Sequence, residues 1–332
     1  MAWVRFVLAL GFAAALAAFP AEAGAAALEG MRSWARSVAP AMFPFVTVMP
    51  YLTCPEVRRA YDRLLGKLVQ RAFRLPGGCA SAVVTGLMAG SPAGALAVRR
   101  VAAAEKLTRG QAARLAGIAC GVSPVYALSV MGVALAGSKA VGWRLVIAQA
   151  AAQLATGLLF RRAFEKEYEP VEVEGRQANE RPVSAAVAAV MRVGGYMTLF
   201  SVGLALARRL LGDCVMYASP FIDLPTGALF CAGCGLAEWV SAAALGFGGI
   251  CIACQNLGVL GVRPMHYFVQ KLVCAGLCAG AYLGISVLCG DVEASVYVNY
   301  GGCFERSTLI MAVLTLPVTV FFVWRRPKKS VS

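Results

Sequence analysis

The sequence predicts an all-α membrane protein, a polytopic bundle of transmembrane helices with two similar halves that contain broken or re-entrant helices. Hydrophobic residues make up 59% of the 332 residues and charged residues 14%, whereas a soluble domain carries about 25% charged residues. Apolar stretches close to the roughly 20 residues that cross a bilayer recur along the chain. Glycine and proline interrupt several of these stretches, which indicates breaks inside the membrane.

The apolar segments follow one another along nearly the whole chain. They cover residues 3–28, 38–53, 75–98, 112–136, 141–160, 183–207, 214–235, 236–262, 267–289 and 307–324. The first segment resembles a signal peptide, because Arg5 precedes its apolar run and Ala21-Glu22-Ala23 follows it. The length of this run and the apolar character of the remaining chain favour a retained first span over a cleaved signal.

A hydrophilic stretch divides the apolar region into two comparable parts. We predict a first span with its connector at 1–37, a first membrane half at 38–160, a cytoplasmic linker at 161–182, a second membrane half at 183–324 and a basic cytoplasmic tail at 325–332. A weak internal echo, in which residues 122–128 resemble residues 218–224, is consistent with two halves.

The net charge of +14 indicates topology rather than a nucleic-acid partner. Basic residues concentrate in the loop 99–114, in the linker and in the tail, as expected for segments on the cytoplasmic side of a bacterial membrane. Arg208-Arg209 fit this arrangement poorly. No phosphate-binding loop and no Gly-x-Ser-x-Gly elbow occurs, so we expect neither an enzyme nor a cofactor.

The most informative stretch of the first half is the run Gly90-Ser91-Pro92, which Gly94 follows. Pro92 lacks a backbone donor and clashes with the preceding turn of a helix, so a break within the membrane is expected here. The alternative is simple helix packing, because Gly86, Gly90 and Gly94 recur every four residues. Ser123-Pro124 predicts a second break.

The second half offers two further stretches. Asp223 is an acid in an apolar segment, followed by Thr226, and an intramembrane carboxylate usually faces a cavity or a partner. The alternative places Asp223 in an external loop. The adjacent Gly248 and Gly249 loosen the next segment ahead of Gln255-Asn256. These two amides supply donors and acceptors, either to a solute or to a neighbouring helix.

Twelve cysteines do not indicate a secreted disulfide framework, because most of them lie in apolar runs. Cys289 and Cys303 flank a polar loop and are the one pair considered for a disulfide. The spacing Cys231-x2-Cys234 with Cys251-x2-Cys254 matches a four-thiolate zinc site. The surrounding residues are apolar, however, so we expect these four cysteines not to converge on a metal.

Several of these motifs occur in an order that resembles a known family. They are Met42-Phe43-Pro44-Phe45, Leu75-Pro76-Gly77, Gly86-x3-Gly90-Ser91-Pro92-Ala93-Gly94-Ala95, Lys106-Leu107-Thr108 and Phe247-Gly248-Gly249-x5-Gln255. Over residues 40–290 the chain is similar to sporulation integral membrane proteins of the YlbJ type, in the nucleoside-recognition or Gate-domain group. The chain departs from that family's pattern at Cys120-Gly121-Val122, at Asp223 and at Ala253.

The resemblance implies a transporter-like protein that acts in spore cortex formation and moves a small polar solute. The alternative is a membrane scaffold for cortex assembly that transports nothing. Expected partners are the bilayer, the solute and, as one option, further copies of the chain. The expected substrate pathway comprises Gly90, Ser91, Pro92, Gly94, Ser123, Pro124, Asp223, Thr226, Gly248, Gly249, Gln255 and Asn256. We expect the breaks of both halves to meet around one cavity, since freed backbone groups need partners or water.

Overall fold

The structure, a computed structural model, describes residues 2–52, 54–165, 167–171, 182–234 and 238–289. Over these residues the chain is helical and forms no β-strand, and one isolated bridge pairs Thr108 with Pro170. The all-α class is therefore confirmed. The predicted segment 307–324, the basic tail 325–332 and Cys303 lie outside the described residues.

Short helices alternate with long ones. The helices before the linker are α1 (Ala2–Ala18), α2 (Pro20–Ser33), α3 (Ala39–Leu52), α4 (Pro55–Phe73), α5 (Ala80–Ala89), α6 (Ala93–Ala104), α7 (Arg109–Ala119), a π-helix (Tyr126–Leu135) and α8 (Lys139–Leu159). Those after it are α9 (Pro182–Leu211), α10 (Ser219–Ile222), α11 (Leu224–Gly233), α12 (Glu238–Phe247), α13 (Gly249–Leu260) and α14 (Pro264–Cys289). Five-residue π-helical and short 3-10 turns join some of them.

Several helices are long and apolar enough to cross a membrane. Among the described residues, three meet these criteria singly, at Ala186–Leu211, Glu238–Leu260 and Pro264–Cys289. Two bent pairs reach the same length and composition, Ala9–Ala18 with Pro20–Val38 and Pro55–Phe73 with Gly77–Ala89. Each pair is either a broken span or a re-entrant segment, so the protein is a multi-pass membrane protein.

The predicted first span over 3–28 is bent in the structure. Helix α1 ends at Ala18, and α2 begins at Pro20 after a bend of 105°. Pro20 cannot donate a backbone hydrogen bond and restricts the residue before it, so the helix stops there. Helix α2 then packs along α9, where Ala23 is buried with Val202 and Leu206.

On each side of the linker, the described residues end in two broken helices followed by one long unbroken helix. Before the linker, the breaks lie between α5 and α6 and between α7 and the π-helix, and α8 follows. After it, the breaks lie between α10 and α11 and between α12 and α13, and α14 follows. The sequence echo pairs 122–128 with 218–224, but these stretches occupy different places in this order, so the echo does not mark structurally matching elements.

Two apolar clusters form the core, and α14 contributes to both. One cluster gathers α4 to α7 and includes Tyr267 of α14. The other gathers the π-helix, α8, α11 and α12, together with Cys274 and Cys278. Helix α14 therefore ties the elements before the linker to those after it.

The loop before α7 and the linker lie on the same side of the protein. Thr108 caps α7 in a capping box with Gln111, and beside it Arg109 pairs with Glu169 at 2.6 Å. Helix α9 has 30 residues and is about 45 Å long, so its far end lies on the opposite side. Arg208 and Arg209 are at that end, which explains why they fit the predicted cytoplasmic charge pattern poorly.

Candidate functional site

The first crossing is the place where the break at 90–92 meets the break at 120–123. Helix α5 ends at Ala89, Gly90 adopts a positive φ of 68°, and α6 begins at Ala93. The predicted break is confirmed. A Cβ added to Gly90 would lie 2.5 Å from the backbone nitrogen of Ser123, so only glycine allows the two backbones to approach this closely.

The same glycines also pack helices together. A Cβ on Gly86 or Gly94 would lie 2.3 Å or 2.1 Å from the Ala119 carbonyl oxygen. Helix packing and a helix break were alternatives at the sequence level, but the structure shows both at once.

Each freed carbonyl of the break at 120–122 has its own donor. Lys271 Nζ donates to the carbonyl of Cys120. The Ser91 backbone nitrogen donates to Gly121 at 2.7 Å, and Gln149 Nε2 donates to Val122 at 2.7 Å. Lipid offers no hydrogen-bond donor, so an unwound segment at membrane depth needs such partners within the protein.

The second crossing is the place where the break at 222–224 meets the break at 248–249. Asp223 lies between α10 and α11 and caps α11. Gly248 and Gly249 both have positive φ, 85° and 82°, and separate α12 from α13. A Cβ on Gly249 would lie 3.3 Å from the Ile222 carbonyl oxygen, so these two backbones are also in close contact.

A cavity of about 50 Å³ lies between the two crossings. Its lining residues come from both sides of the linker and from α9. They are Ser37, Val38, Met42, Ser91, Val122, Ser123, Tyr126, Val193, Met197, Asp223, Leu224, Pro225, Cys251, Ile252 and Gln255. Val193 and Met197 lie near the middle of α9, which places the cavity near the middle of the bundle.

Asp223 is the charged side chain of the cavity lining and is 1% exposed. Its Oδ2 accepts hydrogen bonds from Thr226 Oγ1 at 2.7 Å and from the Thr226 backbone nitrogen at 3.4 Å. Its Oδ1 is buried without a hydrogen-bond donor of good geometry, beside the Cys251 thiol. The external-loop alternative is therefore wrong. A helix N-terminus stabilises a carboxylate, which partly offsets the cost of burying it.

A chain of buried polar groups links the first crossing to α14. Asn256 Nδ2 donates to Ser91 Oγ at 2.9 Å and to the Tyr267 hydroxyl at 2.8 Å. Lys271, 2% exposed, lies 5.6 Å from the centre of the Tyr267 ring, within the range of a cation–π contact. The interhelical role considered for the amides therefore applies to Asn256.

The predicted site residues divide into three groups. Ser91, Ser123, Asp223 and Gln255 line the cavity. Gly90, Pro92, Gly94, Pro124, Gly248 and Gly249 shape the backbone breaks around it. Thr226 and Asn256 bind lining residues from behind. Their role as a substrate pathway stays a prediction.

Sequence reasoning missed two kinds of residue at the candidate site. The first is Lys271, although a cation within the apolar segment 267–289 was a usable signal. The second is the apolar lining from α3 and α9, such as Met42 and Met197. These apolar residues carry no sequence signal, because a side chain that faces a cavity has the same composition as one that faces lipid.

The four cysteines with zinc-like spacing occupy different environments. Cys231 and Cys251 are buried, Cys254 is half-buried and Cys234 is exposed. In the described part of the chain, no group of three or more His, Cys, Asp or Glu side chains is placed to hold a metal ion. Cys289 is exposed at the end of α14, and its candidate disulfide partner Cys303 lies outside the described residues.

Comparison with known proteins supports the resemblance suggested by the motifs. No protein-family model matches the chain, and no solved structure matches it significantly. Among curated proteins, the sporulation integral membrane protein YlbJ of Bacillus subtilis is 26% identical over 202 residues, covering 53% of this chain and 50% of the relative. The chain thus spans about half the length of this relative. It is a distant relative of an integral membrane protein of sporulation, which confirms the predicted resemblance.

Proposed function

We propose that this protein acts in the membrane during sporulation as a transporter-like protein that moves a small polar solute through the cavity between the two crossings. The observation that carries the proposal is the meeting of four helix breaks around one buried carboxylate. Broken helices near the bilayer midplane form the solute sites of repeat-built transporters. The role in sporulation rests on the distant relative. We propose that the specific process is formation of the spore cortex.

A groove on the side opposite the linker supports a route to the cavity. This groove, of about 600 Å³, is lined by Ser201, Arg208 and Arg209 of α9 and by acidic residues such as Glu22. On α9 it begins at Ser201, one helical turn beyond the cavity residue Met197. One turn spans about 5.4 Å, so only a thin layer of protein separates the groove from the cavity.

Thr226 belongs to this separating layer. It lines the groove, while its hydroxyl donates to Asp223, which lines the cavity. A solute that moved between the two spaces would pass this hydrogen bond. We infer that Thr226 and Asp223 form the barrier between the cavity and the groove.

The size of the cavity indicates that the described conformation is closed. At about 50 Å³ it has room for only a few water molecules, since one water needs at least about 10–15 Å³ of such space. A solute as large as a nucleoside therefore requires the crossings to separate. Alternating access of this kind moves one part of the bundle against the other around a fixed site.

The test compares two substitutions at the cavity with one outside it. Asp223→Asn keeps the shape and the cap, and Gln255→Ala removes an amide that lines the cavity. We expect both to impair formation of the spore cortex at unchanged protein abundance. Gly195→Ala, on α9 with nothing within 4 Å of the added Cβ, is the control. The readouts are cortex peptidoglycan and immunoblots of the membrane fraction. Normal cortex in both cavity variants would contradict the proposal and favour the scaffold.

Cys251 provides a direct distinction between a transporter and a scaffold. Its thiol lines the cavity and is 1% exposed. A protein that opens the cavity exposes this thiol periodically, so we expect slow modification by a small charged methanethiosulfonate reagent in native membranes. The modification is mapped by mass spectrometry, with Cys234 as an exposed reference. A Cys251 thiol that stays unmodified while Cys234 reacts would indicate a permanently plugged bundle.

A further inference from the structure

Helix α4 is nearly perpendicular to the helical segment that follows it. It bends by 103° from the segment Gly77–Ala89, whose residues lead down to the first crossing. If Gly77–Ala89 runs along the membrane normal, α4 lies close to the membrane plane. Its length of 19 residues corresponds to about 28 Å along the surface.

The position of α4 on one side of the membrane follows from an ion pair. Arg58 Nη1 lies 3.0 Å from Glu105 Oε1. Glu105 ends α6 in the loop that precedes α7, and this loop contacts the linker through Arg109 and Glu169. Helix α4 therefore lies at the linker side of the membrane.

The outward face of α4 combines cations with leucines. Arg63, Lys67 and Arg71 are exposed and four residues apart, so they form one row along the helix. None of the three pairs with an acidic side chain among the described residues. Next to the row, Leu64 and Leu68 are 78% and 62% exposed.

The opposite face of α4 is packed against the protein. Gly66, Val69 and Phe73 are buried there, and the last two belong to the first core cluster. The helix is thus fixed in rotation, with its cations and leucines turned outward. Adjacent cationic and apolar strips are the pattern of a helix that lies at a bilayer interface, with apolar side chains toward the acyl chains and cations at the headgroups.

We propose that Arg63, Lys67 and Arg71 bind the headgroups of anionic phospholipids in the leaflet at the linker side, while Leu64 and Leu68 insert beside the acyl chains. Charge complementarity selects this occupant, since three unpaired cations in one row attract an anionic surface. Each Lys or Arg near such a surface strengthens binding about fivefold. Because α4 is joined to α5 and the first crossing, lipid binding would also hold this crossing in place.

The test titrates the purified full chain, in a neutral detergent, with phosphatidylglycerol and follows its unfolding temperature. We expect phosphatidylglycerol to raise this temperature, whereas phosphatidylcholine and water-soluble glycerol phosphate do not. The concentration required should increase by more than tenfold in K67Q/R71Q. The matched control R161Q/R162Q also removes two exposed cations on the linker side and should keep the wild-type response.

Three outcomes would overturn the proposal. They are an unchanged response of K67Q/R71Q to phosphatidylglycerol, equal stabilisation by phosphatidylcholine, and equal stabilisation by glycerol phosphate, which would indicate a free-phosphate site. K67R/R71K retains both charges and should respond as the wild type does. This variant separates a loss of lipid binding from a loss of folding, should K67Q/R71Q be unstable.

Discussion

The two crossings satisfy their broken backbones in different ways. At the first crossing, donors far away in the sequence bind the freed carbonyls, among them Lys271, 151 residues from Cys120. At the second, the solution is local, because Asp223 caps the helix that follows it. The first crossing therefore depends on tertiary packing, whereas the second brings a carboxylate into the bundle. We propose that the first crossing is mainly a structural joint and that the second carries the functional side chain, Asp223.

The largest expected effect is at Gly90, where backbone conformation and packing act together. Gly90→Ala should destabilise the protein by about 3–5 kcal/mol, because its φ of 68° and ψ of −163° suit only glycine and because the new Cβ would overlap Ser123. Thermal unfolding in detergent measures the loss. Gly195→Ala, with nothing within 4 Å of the added Cβ, should change stability by less than about 0.5 kcal/mol. A tolerated Gly90→Ala would show that the first crossing is not a tight joint.

An intermediate effect is expected from two glutamines on one face of α8. Gln149→Leu leaves the Val122 carbonyl without its donor and should cost about 1–3 kcal/mol. Gln153→Leu is the matched control, one turn along the same helix, because its buried Nε2 has no hydrogen-bond partner in the described structure. It should be neutral or stabilising. Equal losses in the two variants would mean that packing, rather than the satisfied carbonyl, determines stability at this crossing.

The breaks were predictable from sequence because their causes are local. Pro92 and the glycines at 248–249 impose their conformations wherever the chain places them, and Asp223 was conspicuous as an acid in an apolar run. The bend at Pro20 had the same kind of local cause. It was missed because the apolar segment 3–28 was interpreted as one retained span.

What the sequence did not reveal is how the breaks find their partners. Gln149 and Lys271 are ordinary polar residues of long helices, and which carbonyl each one reaches depends on how α8 and α14 pack. The position of Thr226 behind Asp223, toward the groove, likewise depends on the direction in which α11 leaves the crossing. These contacts depend on how the helices pack, and the pattern of residue types along the chain does not predict that packing.

The smallest expected effect concerns the cap at the second crossing. It is the difference in stability between two variants in which an uncharged side chain replaces Asp223. Asp223→Asn and Asp223→Ala both remove the buried charge, so a change in charge cancels in their comparison. Asn keeps an acceptor for the Thr226 backbone nitrogen and hydroxyl, which Asp223 Oδ2 binds at 3.4 Å and 2.7 Å. Ala leaves both donors without this acceptor. Asp223→Asn should therefore be more stable than Asp223→Ala by about 1 kcal/mol, the usual value of an N-cap.

To measure this difference in stability, both variants are purified in the same mild detergent and unfolded by titration with a denaturing detergent. Thr226→Val serves as a second control, since it removes the hydroxyl donor but keeps the backbone donor and should cost less than Asp223→Ala. The two results together separate structure from chemistry. If Asp223→Asn is as stable as expected but fails to support cortex formation, the carboxylate itself is needed for function. If Asp223→Asn and Asp223→Ala are equally stable, the cap contributes little, and the local solution ascribed to the second crossing is wrong.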